Sequence, residues 1–375
     1  MKRYLEKNIL SDLENKIVLL SGPRQVGKTT LSKQLINPFI YLSYDSGKDR
    51  ELIFSEEWDR KTQLIIFDEL HKMKKWKSWI KGINDTEKKS PFILVTGSAR
   101  LDTYKKGGDS LAGRFFHYRL HPFTVKEIVS TLNIESEIAL ENLIELGGFP
   151  EPYLKNDKIY AKRWRRTHID RIIREDLLDL ERVRDIKSIE IMIDLLKKRV
   201  GSTTSYTSLA TDLQVSSHTI KHWLQVLENL YIIFPVRPFH KNIARSFLKE
   251  SKYYFYDNGA VEGDIGAKLE NAVACSLIKE LNYLEDTTGS KAELHFIRDK
   301  EKREVDFLIL IDNIPKLLIE VKSKDDKFSP HLFRFKKTLN IQNALQIVHK
   351  LKHNKSKDDV EMLPIHDFLA NLSFS

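Results

Sequence analysis

Apolar residues in this chain gather into short dense runs, separated by longer polar stretches with helical spacing. Ile17 to Leu20 (IVLL), Phe39 to Leu42 (FIYL), Gln63 to Phe67 (QLIIF) and Phe92 to Val95 (FILV) are four such runs. Runs this short and this apolar predict strands covered on both faces, as in a parallel sheet. Met1 to Leu13 read as a short amphipathic helix ahead of the first strand, and Arg119 to Phe123 (RLHPF) as a further strand and turn. Glu127 to Leu146 then carry apolar residues at helical spacing. Gly147 to Tyr153 (GGFPEPY) read as a loop, and Tyr160 to Lys187 as helical, basic where Arg163, Arg165 and Arg166 surround Trp164.

The pattern changes again further on. Ser208 to Leu213 suit a short helix, Val215 to Ser217 a turn with Ser216 or Ser217 as N-cap, and His218 to Leu230 an amphipathic helix. With the strand Tyr231 to Val236, this is the order of a winged helix. Its helix offers Ser217, His218, Thr219, Lys221 and His222 to DNA, yet with so few cations the module serves equally well as a protein-packing unit. Lys252 to Tyr256 (KYYFY) predict a strand, the segment from Gly266 a helix bearing Glu270, and three strands follow at Leu294 to Arg298, Glu304 to Leu310 and Leu317 to Val321, with Asn313 at a hairpin turn. Phe333 to Leu339, Ala344 to His349 and His366 to Asn371 read as helix, strand and helix. The fold class expected is α/β and multidomain: a parallel-sheet domain at 1–124, a helical region at 125–200, a winged helix at 201–245 and a further α/β domain at 246–375.

Composition narrows the classes. The 375 residues allow two to three domains at about 150 residues each. No apolar run approaches the ~20 residues of a membrane span, and the charged N-terminus does not read as a secretory signal. The single cysteine, Cys275, forms no internal disulfide or thiolate cluster, so a cytoplasmic location is expected. A net charge of +9 favours a polyanionic partner, although acidic and basic residues are interspersed.

The sharpest motif is residues 22–29, Gly22, Pro23, Arg24, Gln25, Val26, Gly27, Lys28 and Thr29, which fit G-x-x-x-x-G-K-[ST] between a strand and a helix. Glycines let the backbone aim its N–H groups at phosphate oxygens. Lys28 reaches the terminal phosphates, Thr29 holds Mg²⁺, and Thr30 continues into a helix whose positive end faces the anion. Asp68 and Glu69 end the third strand, where Asp68 orders the Mg²⁺ ligands and Glu69 polarises the attacking water. At the fourth strand's tip, either Ser98 or Thr96 would face the γ-phosphate. His71 to Trp79 (HKMKKWKSW) interleave cations and aromatics, and read as a solvated helix face with the tryptophans packed beneath in preference to a nucleic-acid grip.

GPRQVGKTT, LIIFDELHK, ILVTGSAR, SLAGR and HPFTVKE, in that order, resemble a family of prokaryotic AAA-superfamily ATPases that carry a C-terminal domain of PD-(D/E)XK, restriction-endonuclease-like fold. The resemblance continues almost to the end of the chain. It implies hydrolysis of Mg-ATP in a homo-oligomer, with a hexameric ring left open, and it makes Arg114 the finger that completes a neighbour's site. Side chains two apart on a strand share a face, so Glu320 and Lys322 point together and Asp306 on the adjacent strand reaches the same face. Asp306 and Glu320 would hold Mg²⁺, with Glu270 adding to the site and Lys322 activating water, which is the D…E-x-K pattern of such nucleases. The function expected is a Mg-ATP-hydrolysing, DNA-processing protein. The alternatives are an ATPase whose nuclease-like domain only grips DNA, and a nucleotide switch acting on a protein partner.

Overall fold

The computed structural model describes residues 2–87, 91–97, 113–177, 185–240, 250–324 and 327–374. The chain divides into two compact units, Met1–His121 and Pro122–Ser375. It is a mixed α/β protein of more than one domain.

The first unit contains α1 (Glu6–Leu13), β1 (Ile17–Ser21), α2 (Lys28–Leu35), β2 (Phe39–Ser43), α3 (Gly47–Ser55), β3 (Leu64–Asp68), α4 (Trp76–Glu87), β4 (Phe92–Thr96) and β5 (Phe115–Arg119). The sheet has the order β2-β3-β4-β1-β5, and each pairing is parallel. Every residue of β1 is buried, as its unbroken apolar run requires. On one face Ile65, Phe67 and Val95 form a core with Trp58, Trp76 and Ile80. The Trp79 ring meets Phe67 edge-on at 5.3 Å. The tryptophans of the basic-aromatic segment therefore pack under a lysine-rich surface. The fifth strand begins four residues before the expected Arg119, because Phe115 and His117, though polar-interrupted, pair with Ile17 and Leu19 of β1.

The second unit opens with helices α5 (Val125–Leu132), α6 (Ser136–Leu146), α7 (Pro150–Lys155), α8 (Lys158–Arg171) and α9 (Ile186–Lys197). The helical stretch expected over 127–146 forms two helices, because Asn133 takes a left-handed conformation (φ 54°) that ends α5. The expected loop at 147–153 instead starts α7, with Pro150 at its first turn, where a missing N–H costs nothing. Then come α10 (Tyr206–Leu213), capped by Ser205, and α11 (Ser217–Asn229), capped by Ser216.

The strands of this unit are β6 (Ile233–Pro238), β7 (Lys252–Phe255), β8 (Ala292–Arg298), β9 (Glu304–Ile311), β10 (Ile314–Lys322), β11 (Asn343–Val348), β12 (Lys355–Lys357) and β13 (Val360–Pro364). Three further helices are α12 (Ile265–Thr288), α13 (Pro330–Leu339) and α14 (Ile365–Ala370). All eight strands join one sheet of order β12-β13-β11-β10-β9-β8-β6-β7. β6 pairs antiparallel with β7 and parallel with β8, so the sheet runs across the 245/246 boundary expected from the sequence. Asp312 and Asn313 both have positive φ (50° and 65°) and close the β9–β10 hairpin tightly.

Candidate functional site

In the first unit, residues 22–27 form the loop between β1 and α2, and Lys28, Thr29 and Thr30 occupy the first turn of α2. The backbone explains the two glycines. Gly22 has φ +144°, and a Cβ there would lie 2.3 Å from the Leu120 carbonyl oxygen. Gly27 is left-handed (φ 97°) and precedes a helix whose N-terminus no side chain caps, so the first-turn N–H groups are the donors such a loop offers to phosphate. The Lys28 ammonium folds back onto the carbonyls of Gly22 (2.9 Å) and Pro23 (2.7 Å). A residue that carried no sequence signal braces the loop: buried Arg3 donates to Val26 O (2.8 Å) and His121 O (2.6 Å).

Parallel register brings the acidic residues to the same end of the sheet. Asp68 lies beside Ser43 and Thr96. Tyr41 donates to Asp68 Oδ2 at 2.5 Å, and Thr96 donates to Asp68 Oδ1. Thr29 lies near enough to bear on the ionisation of the same phenol, so Thr29 and Asp68 both neighbour Tyr41. Burial, and then Asp68, push that phenol's pKa well up, so it acts as a fixed neutral donor. This convergence of a hydroxyl and a carboxylate is a donor set that suits Mg²⁺. Thr96 is thus the strand-tip group that reaches the site; Ser98 lies outside the described residues.

Glu69 follows with a left-handed backbone (φ 55°). Its carboxylate sits 3.5 Å from His71 Nε2 and 3.7 Å from Lys72 Nζ, and Lys72 also binds both oxygens of Asp45 at 2.7 Å. Burial, and then the charge of Asp68, raise the pKa of Glu69 above the usual carboxylate range, against the pull of Lys28 and Lys72. A carboxylate tuned upward in this way is suited to taking a proton. Arg114 lies elsewhere. β5 runs parallel to β1 with Phe115 opposite Ile17, so Arg114 enters at the edge from which the strands start, whereas the loop leaves at the other. Its Nε pairs with Asp85 at 3.1 Å. The chain's own phosphate loop is a strand's length away, roughly 15 Å at 3.3 Å per residue.

In the second unit, the β9–β10 hairpin brings Asp306 and Glu320 together. Val321 N donates to Asp306 Oδ2 at 2.9 Å, and Lys322 Nζ meets Glu320 Oε1 at 2.7 Å. Glu320 is buried and its Oε2 has no hydrogen-bond partner. Burial, and then the nearby Asp306 charge, raise the Glu320 pKa to about 7. Glu270, on α12, joins the same cluster. Its Oε1 accepts from Tyr254 (2.6 Å) and from Lys252 (3.1 Å), and burial, then Asp306, raise its pKa to about 7. The Lys252 ammonium also contacts Glu304 Oε1 (2.7 Å) and Asp306 Oδ1 (3.6 Å). Among the described residues, no group of three or more His, Cys, Asp or Glu is placed to hold a metal ion. Asp306 and Glu320 present oxygens that suit one, and Glu270 shares its Oε1 with a lysine. Lys252, Tyr254 and Glu304 were missed in the sequence because they meet the cluster only through strand register.

Residues 14–129 match the sequence model of an AAA domain. Over that stretch the chain carries an AAA domain. Residues 137–265 match a domain of unknown function (DUF8612) and residues 265–368 another (DUF4143). The AAA-domain chain is 26% identical over 345 residues to an uncharacterized protein of Methanocaldococcus jannaschii, covering 82% of this chain and 75% of that one. It is 24% identical over 375 residues to an uncharacterized protein of Haemophilus influenzae, covering 86% and 93%. Among solved structures, similarity extends to a variant of Thermotoga maritima RuvB (TM-score 0.33, 19% identity, 62% of this chain and 89% of that one). It also extends to the Saccharomyces cerevisiae Hsp104–ADP complex (TM-score 0.31, 15% identity, 61% and 39%). Among the described residues, no helix is long and apolar enough to cross a membrane.

Proposed function

We propose that this ATPase hydrolyses Mg-ATP to act on DNA, and that its second unit carries a nuclease-like phosphodiester site. On this reading Lys28 and the α2 N-terminus hold the phosphates, Thr29 and Asp68 hold Mg²⁺, Glu69 takes the proton of the attacking water, and Arg114 acts on a neighbouring subunit of a homo-oligomer. The bound Mg²⁺ supplies charge stabilisation at the terminal phosphates. We propose that the roles fall to 1–124, 125–200, 201–245 and 246–375, with the last two parts sharing one sheet through β6.

The observation that carries the DNA reading is one hairpin that bears Asp306, Lys322 and a Glu320 whose buried Oε2 has no partner. A cation held by Asp306 and Glu320 would supply Lewis-acid charge, and Lys322 would orient water. On α11, His218, Lys221 and His222 are exposed along one face, with Lys221 over the Tyr206 ring at 5.3 Å. Those groups are what a DNA backbone meets.

The test incubates the protein with single-stranded, duplex and branched DNA, with ATP and Mg²⁺ or Mn²⁺. Cleavage that Asp306→Ala abolishes supports the nuclease site. Salt-sensitive DNA binding without cleavage of any form favours the second reading, a grip-only domain, for which the ammonium already seated among the carboxylates speaks. No salt-sensitive binding at all leaves a nucleotide switch that acts on a protein partner. Glu69→Gln should bind ATP without turnover, and mixing it with Arg114→Ala should restore some activity if the finger acts between subunits.

A further inference from the structure

Lys252 opens β7 and is 1% exposed. Its ammonium faces Glu304, Glu270 and Asp306 at 2.7, 3.1 and 3.6 Å, with the Phe296 ring 5.4 Å away. An ammonium has three N–H donors and no acceptor, and here each carboxylate comes from a different position on α12 or β9. The surroundings of Glu270 are crowded. Tyr254 donates to the same Oε1 at 2.6 Å. Gly201 (φ +80°) closes over the other oxygen so tightly that a Cβ would lie 2.7 Å from Oε2. Arg298 approaches Glu304 Oε2 at 3.6 Å. One carboxylate oxygen on this face is different: Glu320 Oε2, buried and without a partner.

A hard divalent cation needs several oxygens at short range. It cannot share Glu270 with an ammonium already seated there, because two positive charges a few ångströms apart in a desolvated site repel strongly. We propose that Lys252 is the resident cation of this cluster: it neutralises Glu270 and Glu304 and confines any divalent ion to the Asp306–Glu320 side, where two carboxylates hold it weakly. This rests on the reading of Asp306 and Glu320 as divalent donors. Glu270 then positions Lys252 and is not a metal ligand, and the site is built to load its ion late, when a phosphodiester brings further oxygens.

The test reads Mn²⁺ binding by electron paramagnetic resonance, together with thermal unfolding in EDTA and in Mn²⁺. It uses nucleotide-free full-length protein with Thr29→Ala and Asp68→Asn, so that the ATP site is silent. With Lys252 present, weak Mn²⁺ binding and a melting temperature indifferent to Mn²⁺ are expected. Lys252→Met should bind Mn²⁺ at least tenfold more tightly and should melt lower in EDTA, with Mn²⁺ restoring the difference. If that variant fails to fold, Lys252→Met with Glu270→Gln decides. Removing one charge of each sign should restore folding and leave Mn²⁺ affinity weak. Equal Mn²⁺ affinity with and without Lys252, or a double variant less stable than Lys252→Met alone, overturns the proposal. Weak Mn²⁺ binding that survives Asp306→Asn with Glu320→Gln instead overturns the two-carboxylate reading beneath it.

Discussion

Tyr41→Phe isolates one contact at the nucleotide site. The substitution keeps the ring, and with it the Lys33 ammonium stacked at 3.8 Å, and removes only the hydroxyl that donates to Asp68 Oδ2 at 2.5 Å and neighbours Thr29. A hydrogen bond to a charged group contributes about 1.5–3 kcal/mol net, which is about tenfold to a hundredfold in an equilibrium. Asp68 keeps its Thr96 donor and Tyr41 is only half-buried, so the lower end applies. The contact orders Asp68, one of the two groups assigned to Mg²⁺, and touches none assigned to phosphate. Binding of a fluorescent ATP analogue should therefore be unchanged in EDTA, while the gain in affinity on adding Mg²⁺ should shrink by about tenfold. An unchanged gain would refute the reasoning. A larger gain would also refute it, since the phenol would then compete with the cation for Asp68 instead of orienting it.

Three further outcomes follow from named contacts. Gly22→Ala would force a Cβ to 2.3 Å from Leu120 O at φ +144°; nucleotide affinity should fall at least about a hundredfold, or about 3 kcal/mol, in a titration where Thr30→Ala, at an exposed position, changes little. Burial raises the Glu228 pKa from 4.5 to about 7, against the pull of Arg237. A raised carboxylate contributes stability that is full below about 4.5 and lost as pH rises through about 7, so Glu228→Gln should gain up to about 3 kcal/mol on the wild type between pH 5 and pH 8 in denaturant unfolding; a pH-independent difference would count against it. Lys279, 1% exposed, holds Glu127 at 2.5 Å and Pro122 O at 3.1 Å. Lys279→Met alone should cost about 3–5 kcal/mol by stranding a buried carboxylate, and Lys279→Met with Glu127→Leu should recover most of it.

The phosphate loop was legible because its demands are local: a glycine where φ is positive, a lysine and a threonine at fixed steps beyond it. Asp68 and Glu69 were legible for the same reason, standing at the tip of an apolar run. Period-two alternation sufficed to put Glu320 and Lys322 on one face, and they meet at 2.7 Å. What escaped is set by register between distant segments. Tyr41 reaches Asp68 only because Ser43 pairs with Asp68 across β2 and β3. Lys252 reaches Glu304 and Asp306 across a sheet, and nothing in KYYFY marks it as more than a strand's first residue. The same limit misplaced the fifth strand, whose polar His117 hid a pairing with β1, and hid β13, whose partner β11 was found without it.

The double pairing of β6 has a practical consequence for dissecting the molecule. A cut at 245/246 would leave the helix pair α10–α11 with β6 but without β7 and β8, and would leave β8 with one flank bare. Each fragment would then present a row of unpaired N–H and C=O groups, the kind of edge that recruits other chains. Fragments divided there should precipitate or associate whatever their activity, so a silent C-terminal piece would say nothing about its carboxylates. Division at 121/122 severs no strand pairing within the eight-stranded sheet, and it is the place to separate ATP turnover from whatever the other half does.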